Sequence, residues 1–227
     1  MIKASVVLLT ILAASAPAQQ WRKLFNGRDL SGWEVRGESL WHVLPGGILV
    51  GQRPVPGGNL AGTWPLDVKQ YRTWLYQQAW LYTREEFENF DLRLDFWIPV
   101  GGNSGVSIRD TSRASETIGP PPRRTPAHIG YEIQLSGSEK EEKYPSGSVY
   151  LFAGARPGLH RQGAWNRLEI ESRPDLIRTR VNGQPAAETP GDPKRPKAGP
   201  IGLQLHDQFS WAMFRNIEIR ERRANQP

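Results

Sequence analysis

"FENFDLRLDFWIPV", Phe87 to Val100, decides the fold class. Leu92, Leu94 and Phe96 fall on one side of an extended chain, and Asp91, Arg93, Asp95 and Trp97 fall on the other. A period of two marks a β-strand with one dry face and one polar face. The same habit recurs on either side of the Gly101-Gly102 turn and beyond it. In "NSGVSIRD", Asn103 to Asp110, Val106 and Ile108 oppose Ser107 and Arg109. In "YEIQLSGS", Tyr131 to Ser138, Tyr131, Ile133 and Leu135 oppose Glu132, Gln134 and Ser136.

Further strands follow outward from this centre. "LWHVLPGGILVGQ" (40–52) reads as strand, Pro-Gly-Gly turn, strand. "SVYLFAGA" (148–155), "WNRLEIES" (165–172), "LIRTRVNGQPA" (176–186), "AGPIGLQLHD" (198–207) and "MFRNIEIRER" (213–222) continue the series, with Asn182-Gly183 as a hairpin turn. Residues 52–80 read as an irregular loop carrying Trp64, Trp74 and Trp80, with a short helical turn near "VKQYRTWLYQQ". Residues 111–129 read as a second loop. The chain has 227 residues, with 23 glycines, 19 prolines and nine tryptophans. Short strands at this spacing, separated by turn residues, predict an all-β fold: an antiparallel β-sandwich or jelly roll.

The N-terminus "MIKASVVLLTILAASAPAQQ" has a lysine, an apolar run and then small residues, which is the layout of a secretory signal peptide. Cleavage after Ala18 leaves 227 − 18 = 209 residues, so the expectation is a signal at 1–18 and one domain over 19–227. The expected location is outside the cytoplasm, periplasmic or secreted, with no membrane span once the signal is removed. The chain has no cysteine, which excludes a disulfide or a lipid-modified cysteine. The net charge of +6 comes from scattered basic residues, without the basic stripe that nucleic-acid binding needs.

The sequence lacks a G-x-S-x-G elbow, a P-loop and an H-E-x-x-H motif. Its four histidines, His42, His128, His160 and His206, lie far apart along the chain. An oxygen-ligand metal site leaves no fixed spacing, so a divalent metal stays open. The alternation says more. Arg109, the pair Glu132 and Gln134, and the pair Gln204 and His206 lie on the polar sides of three strands, each pair about 7 Å apart. If those strands are neighbours, the groups form one patch able to grip the hydroxyls of a polyol. Tryptophans of the 64–80 region could pack on a sugar ring. Against this stands the ordinary solvated face of an antiparallel sheet, and Arg109 and Glu132 as a mere cross-strand ion pair.

The ordered set "LFNGRDLSGWEV", "LYTREEFENFDLRLDFWIP", "GGNSGVSIR", "GYEIQL", "GSVY", "WNRLEI", "VNG" and "GPIGLQLHDQFSWAMFRNIEIR" resembles the 3-keto-disaccharide hydrolase family. The resemblance spans nearly all of the chain after the signal. It implies a concanavalin-like jelly roll acting on glycosides whose C3 hydroxyl a separate sugar dehydrogenase has oxidised. It implies Glu132 as base or metal ligand, Gln134 as its orienting neighbour, His206 as a second acid/base and Arg109 as oxyanion stabiliser. Asn103, Asp95, Gln204 and Trp80 complete the expected substrate contacts. The chain departs from the family pattern after E-x-Q, where an aspartate is common and "LSGS" stands here, with Gly137 at the expected position. That departure keeps two alternatives beside the enzyme: a non-catalytic carbohydrate-binding module, and an interaction domain of a sugar-processing complex.

Overall fold

A computed structural model describes residues 20–54, 75, 77–115, 125–138 and 143–222. The signal-peptide reading of residues 1–18, Trp64, Trp74 and most of the expected helical turn at 68–78 lie outside these residues.

Thirteen strands and one short helix make up the described chain. They are β1 (Arg22–Lys23), β2 (Trp33–Arg36), β3 (Leu40–Leu44), β4 (Ile48–Gln52), β5 (Ala79–Thr83), β6 (Phe90–Trp97), β7 (Asn103–Ile108), α1 (Pro126–Ile129), β8 (Tyr131–Ser136), β9 (Asn166–Arg173), β10 (Leu176–Val181), β11 (Gln184–Pro190), β12 (Ile201–Leu205) and β13 (Trp211–Glu221). An eight-stranded sheet runs β11-β10-β9-β6-β13-β4-β3, with β1 paired to β13, and a five-stranded sheet runs β2-β5-β12-β7-β8. Every pairing is antiparallel.

The alternating residues explain why the two sheets close on each other. Leu92, Leu94 and Phe96 of β6 and Leu168 and Ile170 of β9 meet Leu81, Val106, Ile133, Leu203 and Leu205 of the smaller sheet in one core. Each such side chain, fully buried, contributes about 1.5–3 kcal/mol. The expected sandwich is therefore the observed one. At the β10–β11 hairpin, Asn182 and Gly183 take φ of 52° and 77°, the left-handed pair that a two-residue hairpin turn demands. Among the described residues no helix is long and apolar enough to cross a membrane.

Two local expectations fail. Residues 79 and 80, read as the end of the 52–80 loop, belong to β5 (Ala79–Thr83), an interior strand of the smaller sheet between β2 and β12. All five are buried, so both faces are filled by large or apolar groups and no alternation was available to read. "SVYLFAGA" is not a strand: Leu151 turns the chain at φ 71°, and only isolated bridges, Ile133 to Val149 and Val149 to Ala153, remain.

Candidate functional site

The second face of the five-stranded sheet, turned away from the core, is polar yet dry. Strand register lines its side chains into rows. Tyr82, Gly202, Ser107 and Glu132 lie side by side across β5, β12, β7 and β8. One step along, Trp80 lies opposite Gln204, and Gly105 opposite Gln134. Glu132 is 4% exposed, and Trp80, Tyr82, Ser107 and Gln204 are each 0% exposed. A solvated face, the ordinary alternative, does not describe these residues.

Glycines create the room for this row. A Cβ on Gly105 would lie 2.8 Å from Glu132 Oε1 and 3.1 Å from Gln204 Oε1. A Cβ on Gly202 would run into the Tyr82 ring, with Cδ1 at 2.8 Å. The two glycines let a carboxyl, an amide and a phenol ring lie flat over neighbouring strands. Trp80 and Tyr82 stack with centroids 5.6 Å apart and planes 20° from parallel.

Electrostatics single out Glu132. Burial pushes its carboxyl up to about 7, against the opposing pull of His206 and Gln204 and with the help of the Asp110 charge. His206 follows β12 on the same side as Gln204, with Nδ1 3.2 Å from Asp207 Oδ2. Burial of Asp207 works against its charge, but bonds from His206, the Phe209 N–H and Ser210 hold its carboxyl below the usual range. Gln134 Nε2 donates to Asn103 Oδ1 at 3.2 Å. Around this site the Gln204 amide, Ser107 Oγ, Arg53 Nη1 and Gln208 Nε2 are buried without a hydrogen-bond partner of normal geometry. Unpaired buried donors and acceptors cost about 1–3 kcal/mol each, and a ligand that pairs them recovers that cost.

Six expected residues therefore come together: Glu132, Gln134, Gln204, His206, Asn103 and Trp80. Two do not. Arg109 follows the last residue of β7 with φ 60°, and the left-handed turn breaks the alternation that placed it here. Its Nη2 donates to the Glu88 and Arg173 carbonyls at 3.3 and 2.8 Å, tying the ends of both sheets. Asp95 lies on the outer face of the larger sheet, held by Arg167, Arg215 and Asn216.

Sequence reading missed Tyr82 and Asp110. Tyr82 Oη donates to Asp110 Oδ2 at 2.7 Å, and burial drives the phenol's pKa well above its ordinary value. The signal was present as an aspartate directly after a predicted strand end, but only the turn at Arg109 decides its direction. Arg53, beyond β4, also reaches the His206 end by donating to Gln208 Oε1 at 3.3 Å. Among the described residues, no three His, Asp or Glu side chains converge as metal ligands.

Gly137, the position at which the resemblance led to the expectation of an aspartate, packs tightly on the turn before β7. Its N–H donates to Gly102 O at 2.8 Å, and a Cβ there would collide with the Pro99 carbonyl. The backbone at this point excludes any side chain.

Solved structures share the architecture. A candidate glycosyl hydrolase from Parabacteroides distasonis ATCC 8503 is 24% identical, with a TM-score of 0.64 over 89% of this chain and 100% of that one. The carbohydrate-binding module CBM66 of Bacillus subtilis is 14% identical, with a TM-score of 0.55 over 84% and 96%. The β-glucanase of Bacillus licheniformis is 10% identical, with a TM-score of 0.56 over 92% and 100%. At these identities the likeness establishes the jelly-roll fold. No curated protein is similar to the chain at a significant level. The profile of the 3-keto-alpha-glucoside-1,2-lyase-like domain matches residues 20–220, which ties the chain to carbohydrate chemistry. The chain belongs to the 3-keto-disaccharide hydrolase family, whose defining domain is this lyase-like jelly roll.

Proposed function

We propose that the protein cleaves 3-keto-glycosides by removing the C2 proton, expelling the C1 substituent and adding water at C1. The observation that supports this most is Glu132: a carboxyl buried on a polar row, pushed up to about 7, under the influence of His206. A base whose pKa lies near the working pH can both take and return a proton.

The C3 ketone of the substrate acidifies the neighbouring C2–H. Glu132 accepts that proton, and the electron pair forms an enediolate. Its oxygen needs donors, and the Gln204 amide and Ser107 hydroxyl are buried on the same face without a hydrogen-bond partner of normal geometry. Collapse of the enediolate breaks the C1–O bond, and the leaving oxygen takes a proton from His206. Water then adds to C1 of the resulting enone, its released proton restores His206, and the Glu132 proton returns to C2. The net change is hydrolysis of one glycosidic bond. Arg109, expected as the oxyanion stabiliser, has no part in this scheme, and no step uses a metal.

Incubating a synthetic 3-keto-glucoside with the protein in D2O should release the aglycone and place deuterium at C2. Glu132→Gln should do neither while folding normally. Near-normal turnover in that variant would remove Glu132 from the reaction.

A second reading, a carbohydrate-binding module without chemistry, is favoured by Gly137, whose position carries no carboxylate. Sugar binding without aglycone release would support it. We further propose that the substrate comes from a separate sugar 3-dehydrogenase, and that residues 1–18 direct export. N-terminal sequencing of secreted or periplasmic protein should then start at Gln19.

A further inference from the structure

The segment that follows β7 is unusual in its backbone. Arg109, Arg113 and Ala114 have φ of 60°, 49° and 58°. Three left-handed non-glycine residues within six positions cost about 1–2 kcal/mol each, and such strain persists only where the surroundings hold it. Two side chains do the holding. Arg113 donates to the carbonyls of Thr83 and Arg84 at 2.6 and 3.2 Å, and pairs with Glu34 and Glu86, each at 3.2 Å. Asp110, fully buried, accepts four hydrogen bonds. Its Oδ1 takes the Ser112 N–H and hydroxyl at 3.1 and 2.6 Å, and its Oδ2 takes the Ala114 N–H and Tyr82 hydroxyl at 2.8 and 2.7 Å. Ala114 packs with Trp80 and Tyr82 in a cluster separate from the main core.

We propose that Asp110 is a positioning residue of the Glu132 site: the left-handed turn at Arg109 turns its carboxylate onto the polar face, where it clamps Tyr82, fixes the Trp80–Tyr82 stack beside Glu132 and supplies a fixed negative charge to the row. The proposal rests on the reading of Glu132 as the working carboxyl. Geometry explains the assignment. The Tyr82 proton is committed to Asp110, and both Asp110 oxygens are taken up in accepting four hydrogen bonds. Neither group is an acid. Their joint effect is to hold a flat aromatic floor of the kind that packs on the C–H face of a sugar ring, next to the base.

The groups acting on Glu132 are His206 after β12, Gln204 on β12 and Asp110 after β7, while Tyr82 on β5 reaches it through its bond to Asp110. Removing the Asp110 charge relieves Glu132 of a like charge. Removing the Tyr82 hydroxyl instead strips a donor from Asp110 and leaves its charge less neutralised. The two changes act on Glu132 with opposite sign.

The test is the titration of the Glu132 carboxyl carbon by NMR in the full chain, in the parent, Asp110→Asn and Tyr82→Phe. The expected result is a lower pKa in Asp110→Asn and a higher one in Tyr82→Phe. The acid limb of the pH–rate profile on a 3-keto-glucoside should move in the same directions. A floor displaced by about 1 Å should also cost on the order of 100-fold in kcat/KM. Shifts of one sign in both variants, or none in either, overturn the proposal. If Asp110→Asn fails to fold, an unmoved or lowered pKa in Tyr82→Phe overturns it alone. Because NMR reads the carboxyl with or without turnover, shifted titrations in a protein that releases no aglycone would sink the enzymatic reading and leave the positioning role standing.

Discussion

Replacing Glu132 with glutamine should stabilise the protein at alkaline pH while removing its activity. The Glu132 carboxyl goes from an ordinary 4.5 up to about 7 in the folded chain, chiefly because it is buried. At 1.36 kcal/mol for each pKa unit, this difference amounts to about 3 kcal/mol. The sign follows from linkage. Below 4.5 both folded and unfolded chains hold the proton, and the group costs nothing. Between 4.5 and 7 the unfolded chain releases it first, and above 7 the folded chain carries an ion in a dry site. The stability tied to this proton is complete in acid and lost as the pH rises through about 7, and about 2.5 kcal/mol of it falls between pH 5 and pH 8. Glutamine keeps the shape and cannot titrate. Urea unfolding of parent and Glu132→Gln at pH 5, 6, 7 and 8 measures the difference directly, and other titrating groups largely cancel. The stability of the variant relative to the parent should climb by about 2.5 kcal/mol across that range. A difference flat to within about 0.5 kcal/mol would refute the claim that this carboxyl is desolvated, and with it the argument for a base poised near neutrality.

Three other substitutions separate the site from the scaffold. Gly105→Ala puts a methyl 2.8 Å from Glu132 Oε1 and 3.1 Å from Gln204 Oε1, so aglycone release should fall by about 100-fold, with a stability loss of about 1–3 kcal/mol by denaturation. Arg109→Ala strands the Glu88 and Arg173 carbonyls and should cost about 2–3 kcal/mol in urea unfolding, while the NMR titration of Glu132 stays where it was. Gly137→Asp restores the residue common in the family but collides with the Pro99 carbonyl, so calorimetry should record a lower Tm with no gain in turnover.

The strands whose two faces differ were legible from their residues. Leu92, Leu94 and Phe96 had to be covered, and with them came the alternating strands that form the sandwich. Glu132, Gln134 and Gln204 were legible for the same reason, since they stand opposite buried neighbours on β8 and β12. Alternation could not tell a wet polar face from a dry one, because the period of two is the same in both. It also failed where the period ended. One left-handed residue, Arg109, sends its own side chain to the carbonyls joining the sheets and delivers Asp110 to Tyr82. β5 was hidden because its Trp80 and Tyr82 face fills as completely as its core face.

By itself, then, the order of apolar and polar residues determined that there would be two antiparallel sheets, and which side of each strand would face the core. Such patterning is local, and burial of one face is its whole physical content. Tertiary structure decided the rest. Only the pairing β5-β12-β7-β8 sets Tyr82, Ser107 and Glu132 in one row, and Gly202 and Gly105 leave the room that the Tyr82 ring and the Glu132 and Gln204 side chains fill. The charge of Glu132 depends on that assembly, because exclusion of water is a property of everything packed around a group and not of the residues beside it in the chain.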